Sequence, residues 1–453
     1  MKNTFLLLST VLIILASCTK VKNTTTASIS NDIPAIEQQV DVPLPNVKKP
    51  PYVFKINASE SHELVTKTGS KITIPKDAFV DKKGNPISGD VEVTFEEFHD
   101  ATDIILSGIP MNITTEDGEM GSFESAGMFN ISGSQNGEEI RIDNNKTIEI
   151  ELASFEEESD FNFYEFDKEK GQWIEEAKAV SVTENEIRKE AEQNLKELPP
   201  RPIEIKKASS NDFVFEIAVD KRNNPEFESF DNVMWRLADK NTESESLFST
   251  TIRNPNLECI DQEKSIFRLT GSANKKKIKT RVQPVMFGSN LKKAQAAFKV
   301  KLTGYKKALE QKKEEEAKID QMGKFSRSMA LNSFGTYNFD RLYKVRKKVQ
   351  FNALFFIPAL KKVFKKGYLI QGKKKISIPY SRSGYYKFTF NPKERNTVIT
   401  FDEDGNLYEF RADDFESLQN TKLTKDDEYT FRMRETGIKI QNATDLKSYL
   451  ASL

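Results

Sequence analysis

The stretch that decides the fold runs from residue 69 to residue 111 and reads GSKITIPKDAFVDKKGNPISGDVEVTFEEFHDATDIILSGIPM; a second piece, residues 123–131, reads FESAGMFNI. Val91, Val93 and Phe95 alternate with polar neighbours, and this period of two predicts a strand with one buried face. The glycine and proline of the KGNP run just before that strand favour a turn. The stretch therefore predicts antiparallel strands joined by tight turns.

Similar alternation recurs along the chain, and it predicts a mainly β protein with two or three small β-sandwich modules joined by amphipathic helices. The predicted order is a lipoprotein signal peptide at 1–18, a disordered tether at 19–51, an N-terminal β-sandwich at 52–180, a helical linker at 181–202, a second β-domain at 203–287, an amphipathic helical arm at 288–331 and a C-terminal β-domain at 332–453.

Two stretches show helical rather than strand periodicity. The run Thr183-Glu184-Asn185-Glu186 has the pattern of a capping box, and two prolines at 199 and 200 end the segment that follows. From Leu291 to Leu309 apolar residues recur at helical spacing and form a seam. Such a seam must pack on the adjacent domain, on a second copy of the chain or on a partner.

The N-terminus has the features of a bacterial lipoprotein signal. Lys2 precedes the apolar run Phe5–Leu15, which is too short to span a membrane as a stable helix. The residues Leu-Ala-Ser before Cys18 then fit a lipobox, in which the thiol receives diacylglycerol. The sequence predicts lipidation at Cys18 and anchoring to a membrane through that lipid.

The deciding stretch also carries a resemblance. The strand followed by Pro-x-x-Ala-Phe and a glycine-marked hairpin resembles the β-sandwich domain shared by ankyrins, netrin receptors and tight-junction zonula proteins. Residues 98–111 and 123–129, with later pieces at 232–237 and 334–341, resemble uncharacterised outer-membrane lipoproteins of Bacteroidota. This resemblance implies an outer-membrane location and a β-sandwich architecture but no activity. The basic residues just after Cys18 favour the periplasmic face over the cell surface.

The cysteine and histidine content limits the disulfides, metal sites and catalytic pairs that the chain can form. The only cysteine besides Cys18 is Cys259, so the mature chain cannot form an internal disulfide, and Cys259 is expected in a core. The two histidines, His62 and His99, leave few ways to build a metal site or a Ser-His pair. The sequence shows no phosphate-binding glycine loop, cysteine cluster or G-x-S-x-G motif. We therefore predict no cofactor and no metal.

The net charge is zero, but its distribution is uneven. Residues 51–180 hold 28 acidic and 11 basic side chains, whereas residues 271–400 hold 32 basic and 7 acidic ones. The candidate face for an anionic partner comprises Lys275, Lys276, Lys277, Lys347, Lys348, Lys365, Lys366 and Lys374. An envelope location argues against nucleic acid and leaves an anionic glycan, lipid head groups, or a protein partner such as the acidic first domain. A solvated face without a specific partner is the alternative.

His99, Asp100 and Asp103 form the best cluster for chemistry. A metal would need three or four converging ligands, which a strand leading into a turn does not supply unaided. The residues after His99 do not match the His-x-Ser or His-x-Thr site at which some related domains cut themselves. We therefore interpret the cluster as a turn that orders a loop, and keep an acid-base role as the alternative.

Together these patterns predict a membrane-anchored, non-enzymatic binding or scaffolding lipoprotein of the outer envelope. One alternative is an envelope hydrolase that uses the loop at His99, Asp100 and Asp103; the other is a surface adhesin. The oligomeric state does not follow from the sequence.

Overall fold

The computed structural model describes residues 42–114, 120–218, 233–238, 245–343, 349–364, 366–372, 375–377, 386–419, 423–424 and 426–453, together with residues 40 and 222. Strands account for 44% of the described residues and helices for 19%. The mainly β class predicted from the alternating patterns is therefore confirmed. Cys18, Lys347, Lys348, Lys365 and Lys374 lie outside the described residues.

The described residues form 29 strands. The first twelve are β1 (Tyr52–Asn57), β2 (His62–Val65), β3 (Lys71–Ile74), β4 (Phe79–Val80), β5 (Asp90–Phe98), β6 (Asn112–Thr114), β7 (Met120–Gln135), β8 (Glu138–Glu139), β9 (Arg141–Ile142), β10 (Ile148–Ser154), β11 (Asn162–Asp167) and β12 (Gln172–Ala177). The next eight are β13 (Val182–Glu184), β14 (Lys206–Lys207), β15 (Met234–Leu237), β16 (Arg253–Asp261), β17 (Ile266–Ala273), β18 (Lys276–Met286), β19 (Phe325–Leu331) and β20 (Gly335–Tyr343). The last nine are β21 (Val349–Ile357), β22 (Lys362–Phe364), β23 (Tyr368–Gln371), β24 (Lys375–Ser377), β25 (Tyr386–Phe390), β26 (Asn396–Phe401), β27 (Asn406–Phe410), β28 (Glu428–Arg432) and β29 (Arg434–Lys439).

The helices of the described residues separate these strands. They are α1 (Ala101–Ser107), α2 (Glu186–Gln193), α3 (Glu245–Phe248), α4 (Gly288–Asp320), α5 (Ala412–Gln419) and α6 (Ala443–Ser452). The predicted capping box is shifted, because the N-cap of α2 is Asn185, whose side chain accepts bonds from the amides of Ile187 and Arg188.

Two sheets supply the first core. The larger has the strand order β1-β5-β7-β20-β11-β12, with β6 and β8 paired to β7, and the smaller has the order β13-β19-β10-β3-β2. Val91, Val93 and Phe95 of β5 are buried in one apolar cluster with Ile72 of β3 and Ile150 of β10. Full burial of each such side chain stabilises the fold by about 1.5–3 kcal/mol. The predicted inward face of β5 is thus observed. We call these two sheets the first body.

The first body is discontinuous in sequence. β20 lies between β7 and β11 in the larger sheet, and β19 lies between β13 and β10 in the smaller. Glu184 pairs with Phe325, and the amide of Asn185 donates to the carbonyl of Lys324 over 3.0 Å. The two ends of residues 185–324 therefore meet side by side. We call residues 185–324 the insertion.

The insertion has a core of its own. Its sheet has the order β14-β18-β17-β16, with β15 paired to β18. Trp235, Phe267 and Leu269 are buried together with Leu291 and Ala294 of α4. The alternation of Phe213, Phe215, Ile217 and Val219 in the sequence favours a strand. In the structure this segment forms only an isolated bridge between Phe215 and Trp235, and residue 219 lies outside the described residues. Cys259, expected in a core, is half-buried and packs against this cluster.

The C-terminal region has two further sheets. One has the order β22-β21-β25 with β28 paired to β21, and the other has the order β24-β23-β26-β27-β29. Their shared cluster is rich in phenylalanine and contains Phe351, Phe355, Phe388, Phe390, Phe410, Phe415 and Phe431. A separate cluster joins this region to the first body, because Met111 and Trp173 pack in it with Ile399 and Leu446. The first body and the C-terminal region therefore share one apolar interface.

The helical arm ends earlier than predicted. The prediction placed residues 288–331 in helix, but α4 ends at Asp320 and Phe325–Leu331 is the strand β19. Between them, Gly323 passes so close to β10 that an added Cβ would lie 2.7 Å from the amide nitrogen of Ser154. The amide of Gly323 also donates to the carbonyl of Thr68 over 2.9 Å. Only glycine allows this close approach, and it returns the chain to the first body.

The predicted tether is also too long at its C-terminal end. Leu44 is only 6% exposed and belongs to the cluster between the first body and the C-terminal region. The ammonium of Lys48 lies 2.6 Å from Glu96, and that of Lys49 lies 2.6 Å from Asp103. Residues 42–51 therefore pack on the fold, and we call them the strap. Within the described residues, no helix combines the length and the apolar character needed to cross a bilayer.

Candidate functional site

The cluster singled out by the sequence lies where β5 leads into α1. Asp100 is extended and serves as the N-cap of α1, where its side chain accepts a bond from the amide of Asp103 over 3.0 Å. Gly108 ends the helix with a φ of 69°, a left-handed conformation that favours glycine. The structure thus corrects the predicted turn, because His99 is followed by a capped helix.

Glu97 is the buried charge next to His99. Its two carboxylate oxygens lie 2.7 and 2.8 Å from the hydroxyl of Thr68, and one of them lies 3.2 Å from the hydroxyl of Thr66. Burial opposes ionisation, but the adjacent imidazole of His99 and the hydroxyls of Ser70 and Thr68 outweigh it and hold the pKa of Glu97 below its ordinary value. Glu97 is therefore a carboxylate at neutral pH.

The His99 ring is held by packing. Its side chain is 9% exposed, and its ring lies edge-on to that of Phe155 with centroids 5.4 Å apart. Nε2 lies 3.7 Å from Glu97 Oε1, beyond hydrogen-bond distance, and neither ring nitrogen has a hydrogen-bond partner among the described residues. A nucleophile activated by His99 would have to lie within reach of one of these nitrogens.

The two aspartates of the cluster make different contacts. Asp103 is buried and pairs with Lys49 of the strap, while its second oxygen accepts a bond from the His99 amide over 3.3 Å. Asp100 pairs with Lys447 of α6 over 2.9 Å. Burial raises the pKa of Asp100, but the bonds from Lys447 and from the Asp103 amide lower it further than burial raises it. Both aspartates therefore tie α1 to other parts of the fold.

A cleft of about 90 Å³ opens beside these groups. His99 and Asp103 line it, while Asp100 does not. Its other lining residues are Lys48, Lys49, Pro50, Tyr52, Thr68, Glu96, Glu97, Phe98 and Leu106. Within the described residues, no group of three or more potential ligands is placed to hold a metal ion. The cleft combines a buried imidazole, paired charges and hydroxyls, and it has room for about three water molecules.

Sequence reasoning missed part of this cleft. Glu97 is expected near His99 from the sequence, because it lies only two residues earlier in the chain. Thr68 follows β2 (His62–Val65) and reaches Glu97 only through the fold, so no spacing marks it. Lys48 and Lys49 precede a proline pair in a stretch without periodicity, and composition favoured a tether there.

A second buried carboxyl lies in β20. Asp340 is fully buried, and its Oδ2 accepts a hydrogen bond from the side-chain amide of Asn338. Asn338 in turn accepts a bond from the hydroxyl of Ser125 in β7 over 2.7 Å. Burial raises the pKa of Asp340 well above its ordinary value. Burial thus favours the protonated form of Asp340, which links β7 and β20 through Asn338.

The described lysines of the predicted face lie in two different parts of the fold. Lys275, Lys276 and Lys277 are exposed at the turn between β17 and β18 in the insertion. Lys366 is half-buried between β22 and β23 of the C-terminal region, and its carbonyl accepts a bond from Thr400 over 2.7 Å. The four other lysines lie outside the described residues. The structure therefore places three of the eight lysines together.

Comparisons of the chain with protein-family models, with curated proteins and with solved structures found no match. The function therefore has to be argued from the fold and its surfaces.

Proposed function

We propose that the protein is a membrane-anchored, non-enzymatic binding or scaffolding lipoprotein of the bacterial outer envelope, held by lipid on Cys18 and facing the periplasm. The lipobox supports the anchor, and the resemblance to Bacteroidota lipoproteins supports the location. The first body supports a β-sandwich because residues of both its sheets contribute to one core.

The observation that carries this proposal is that α4 joins the sheet of the insertion to the first body. At one end of α4, Leu291 and Ala294 are buried in the core of the insertion. At the other end Ile319 is buried, and just after the helix the amide of Gly323 donates to the carbonyl of Thr68 in the first body over 2.9 Å. The helix has 33 residues and is about 50 Å long at 1.5 Å per residue. A folded unit on such a spacer is suited to presenting a surface to a partner.

The exposure of the middle of α4 supports its role as a spacer. Val300 is 74% exposed, the largest value among the exposed large hydrophobic residues of the described chain. A helix that is polar over most of its surface and fixed at both ends acts as a solvated bridge between folded units. The bridge keeps the insertion and the first body apart while it fixes their separation.

Photo-crosslinking in living cells tests the proposal. A photoreactive amino acid at Val300 is expected to capture one envelope component reproducibly. The matched control carries the same group at Val53, which is 53% exposed on β1 of the first body. If Val300 captures nothing, or if both positions capture the same set of abundant components, the insertion is not a presenting module. Protease treatment of intact cells separates a periplasmic protein from a surface adhesin, since only the adhesin is degraded.

One observation favours a second function. The cleft beside His99 holds a buried imidazole next to a carboxylate, which is the start of an acid-base site for a hydrolase. Against it, no described residue is hydrogen-bonded to either ring nitrogen, and the nearby Thr68 hydroxyl contacts Glu97 instead. Hydrolysis of cell-envelope polymers that is lost in His99→Gln at an unchanged melting temperature would support this second function over the first.

A further inference from the structure

The first two-thirds of α4 carry charge of one sign. Residues 288–309 contain six lysines and no aspartate or glutamate, and the acidic residues of the helix begin at Glu310. Residues 288–309 therefore supply no carboxylate of their own to pair with these lysines.

These lysines form a row along one side of the helix. At about 100° per residue, Lys292, Lys299 and Lys306 lie within about 40° of one another, and neighbours in the row are about 10.5 Å apart along the axis. Lys293 and Lys307 flank the row, and all five lysines are exposed. None of the five forms an ion pair within the described part of the chain. We call these five residues the lysine row.

The lysine row points away from the protein. Leu291 and Ala294 are buried in the core of the insertion, and Phe298, Leu302 and Tyr305 further along the same side are half-buried. By the same angular spacing, this apolar side is centred more than about 100° from the row. The five lysines of the row are exposed, so the acidic first body does not cover them either. Within the part of the chain that the structure describes, no carboxylate pairs with the row, so the row is open to an anionic partner.

We propose that the lysine row binds a linear acidic polysaccharide that carries a negative charge at each repeat. The row is straight, and its spacing is comparable to the length of a disaccharide unit. Lysine ammoniums are point charges without the planar fork that arginine offers to a single carboxylate or phosphate, so they suit a repeated and loosely oriented anion. Ala296, Thr303 and Gly304 near the row are small enough for a chain to lie close to the helix.

Two other anionic partners fit the row less well. Helices that bind a bilayer surface bury tryptophan, phenylalanine or leucine in it, but in α4 Phe298 and Leu302 are half-buried and Val300 is the one exposed large apolar residue. Proteins that bind single-stranded nucleic acid stack bases on aromatic rings, but the aromatic residues of this part of α4, Phe298 and Tyr305, are half-buried on its apolar side. The geometry therefore favours the polysaccharide.

The inference rests on the proposed binding function and names the class of partner. Its test compares the full-length protein with the variant Lys292→Gln/Lys299→Gln/Lys306→Gln. The matched control is Lys312→Gln/Lys313→Gln/Lys318→Gln, which removes the same charge from the same helix among acidic neighbours. Glutamine is a good helix former, so far-ultraviolet circular dichroism should be unchanged in both. The probes are polygalacturonate, vesicles of phosphatidylglycerol and phosphatidylethanolamine, and single-stranded DNA.

The wild-type protein should bind polygalacturonate more tightly than the vesicles or the DNA. The first variant should bind it about tenfold more weakly, and the slope of log Kd against log salt should fall by about three, because three ion contacts are lost. The control should stay within twofold of wild type. Equal weakening in both variants, tighter binding to vesicles or DNA, or no binding to polygalacturonate would each overturn the inference. A Val300 crosslink to another component together with no polysaccharide binding would refute the inference and leave the proposed function standing.

Discussion

Replacing Leu44 by alanine tests whether the strap belongs to the cooperative fold. Leu44 is 6% exposed in the cluster between the first body and the C-terminal region. One of its methyl carbons would lie 3.8 Å from a Cβ built on Gly405, so the side chain fills the space against that turn. The substitution removes three carbon atoms from this packed position and leaves a cavity.

The expected loss of stability follows from burial. Substitution of a buried leucine by alanine costs about 2–5 kcal/mol, and we expect about 2 kcal/mol here because the strap lies at the edge of the cluster and can partly close the cavity. For a cooperative unit of this size, 1 kcal/mol lowers Tm by about 2–4 °C, so the predicted shift is about 4–8 °C. An isolated tether residue would give no shift.

Calorimetry of the lipid-free protein carrying Cys18→Ala provides the measurement. The matched control is Leu360→Ala, the same chemical change at a residue that is 44% exposed, and its cost should stay within about 0.5 kcal/mol. If the Tm of Leu44→Ala equals that of Leu360→Ala, the strap is not packed in solution and the ion pairs of Lys48 and Lys49 do not hold it.

Three further predictions concern the anchor and the buried charges. Cys18→Ala should leave the protein in the aqueous phase after detergent phase separation, and continued partition with the membrane would disprove the lipid anchor. His99→Gln should lower Tm because it removes the ring packed on Phe155, while binding of polygalacturonate stays unchanged; loss of binding without a change in Tm would contradict this. Glu97→Gln and Asp340→Asn should change the pH dependence of stability in opposite directions. Because the pKa of Glu97 is lowered in the fold, Glu97 stabilises the wild type above pH 4.5, and this stabilisation is lost as the pH falls. Because the pKa of Asp340 is raised, Asp340 stabilises the wild type below pH 3.8, and this stabilisation is lost as the pH rises. Urea unfolding from pH 3 to pH 8 measures both, and parallel curves for wild type and variants would refute the assignments.

Local patterns in the sequence were sufficient for the strands that build the first core. Val91, Val93 and Phe95 are buried as their alternation predicts, because one face of that strand packs on the opposite sheet. The seam of α4 was predicted too, and Leu291 and Ala294 are the part of it that packs fully. Periods of two and of 3.6 report which side of an element is buried, and they do so without any knowledge of the partner element.

Pairing between distant strands could not be predicted in the same way. β20 joins β7 across more than 200 residues, as the 213-residue separation of Ser125 and Asn338 shows. The alternation in β20 fits the C-terminal region equally well, so the boundary at residue 332 followed from proximity in the chain. Contacts between distant residues were also the part of the candidate site that could not be predicted. Glu97 lies two residues before His99 in the sequence, but Thr68 and Lys49 reach this site only through the fold.

The insertion has a consequence for biosynthesis. The central strand β7 ends at Gln135, and its partner β20 is complete only at Tyr343. At a synthesis rate of about 5–20 residues per second, roughly 10–40 s pass between these two points. During that time one edge of a 16-residue strand is without the neighbour that will cover it, whereas the insertion already has all its residues by Lys324. The middle of the polypeptide is therefore able to fold before the beginning, and a chaperone that shields exposed strand edges would act on the nascent chain within this interval.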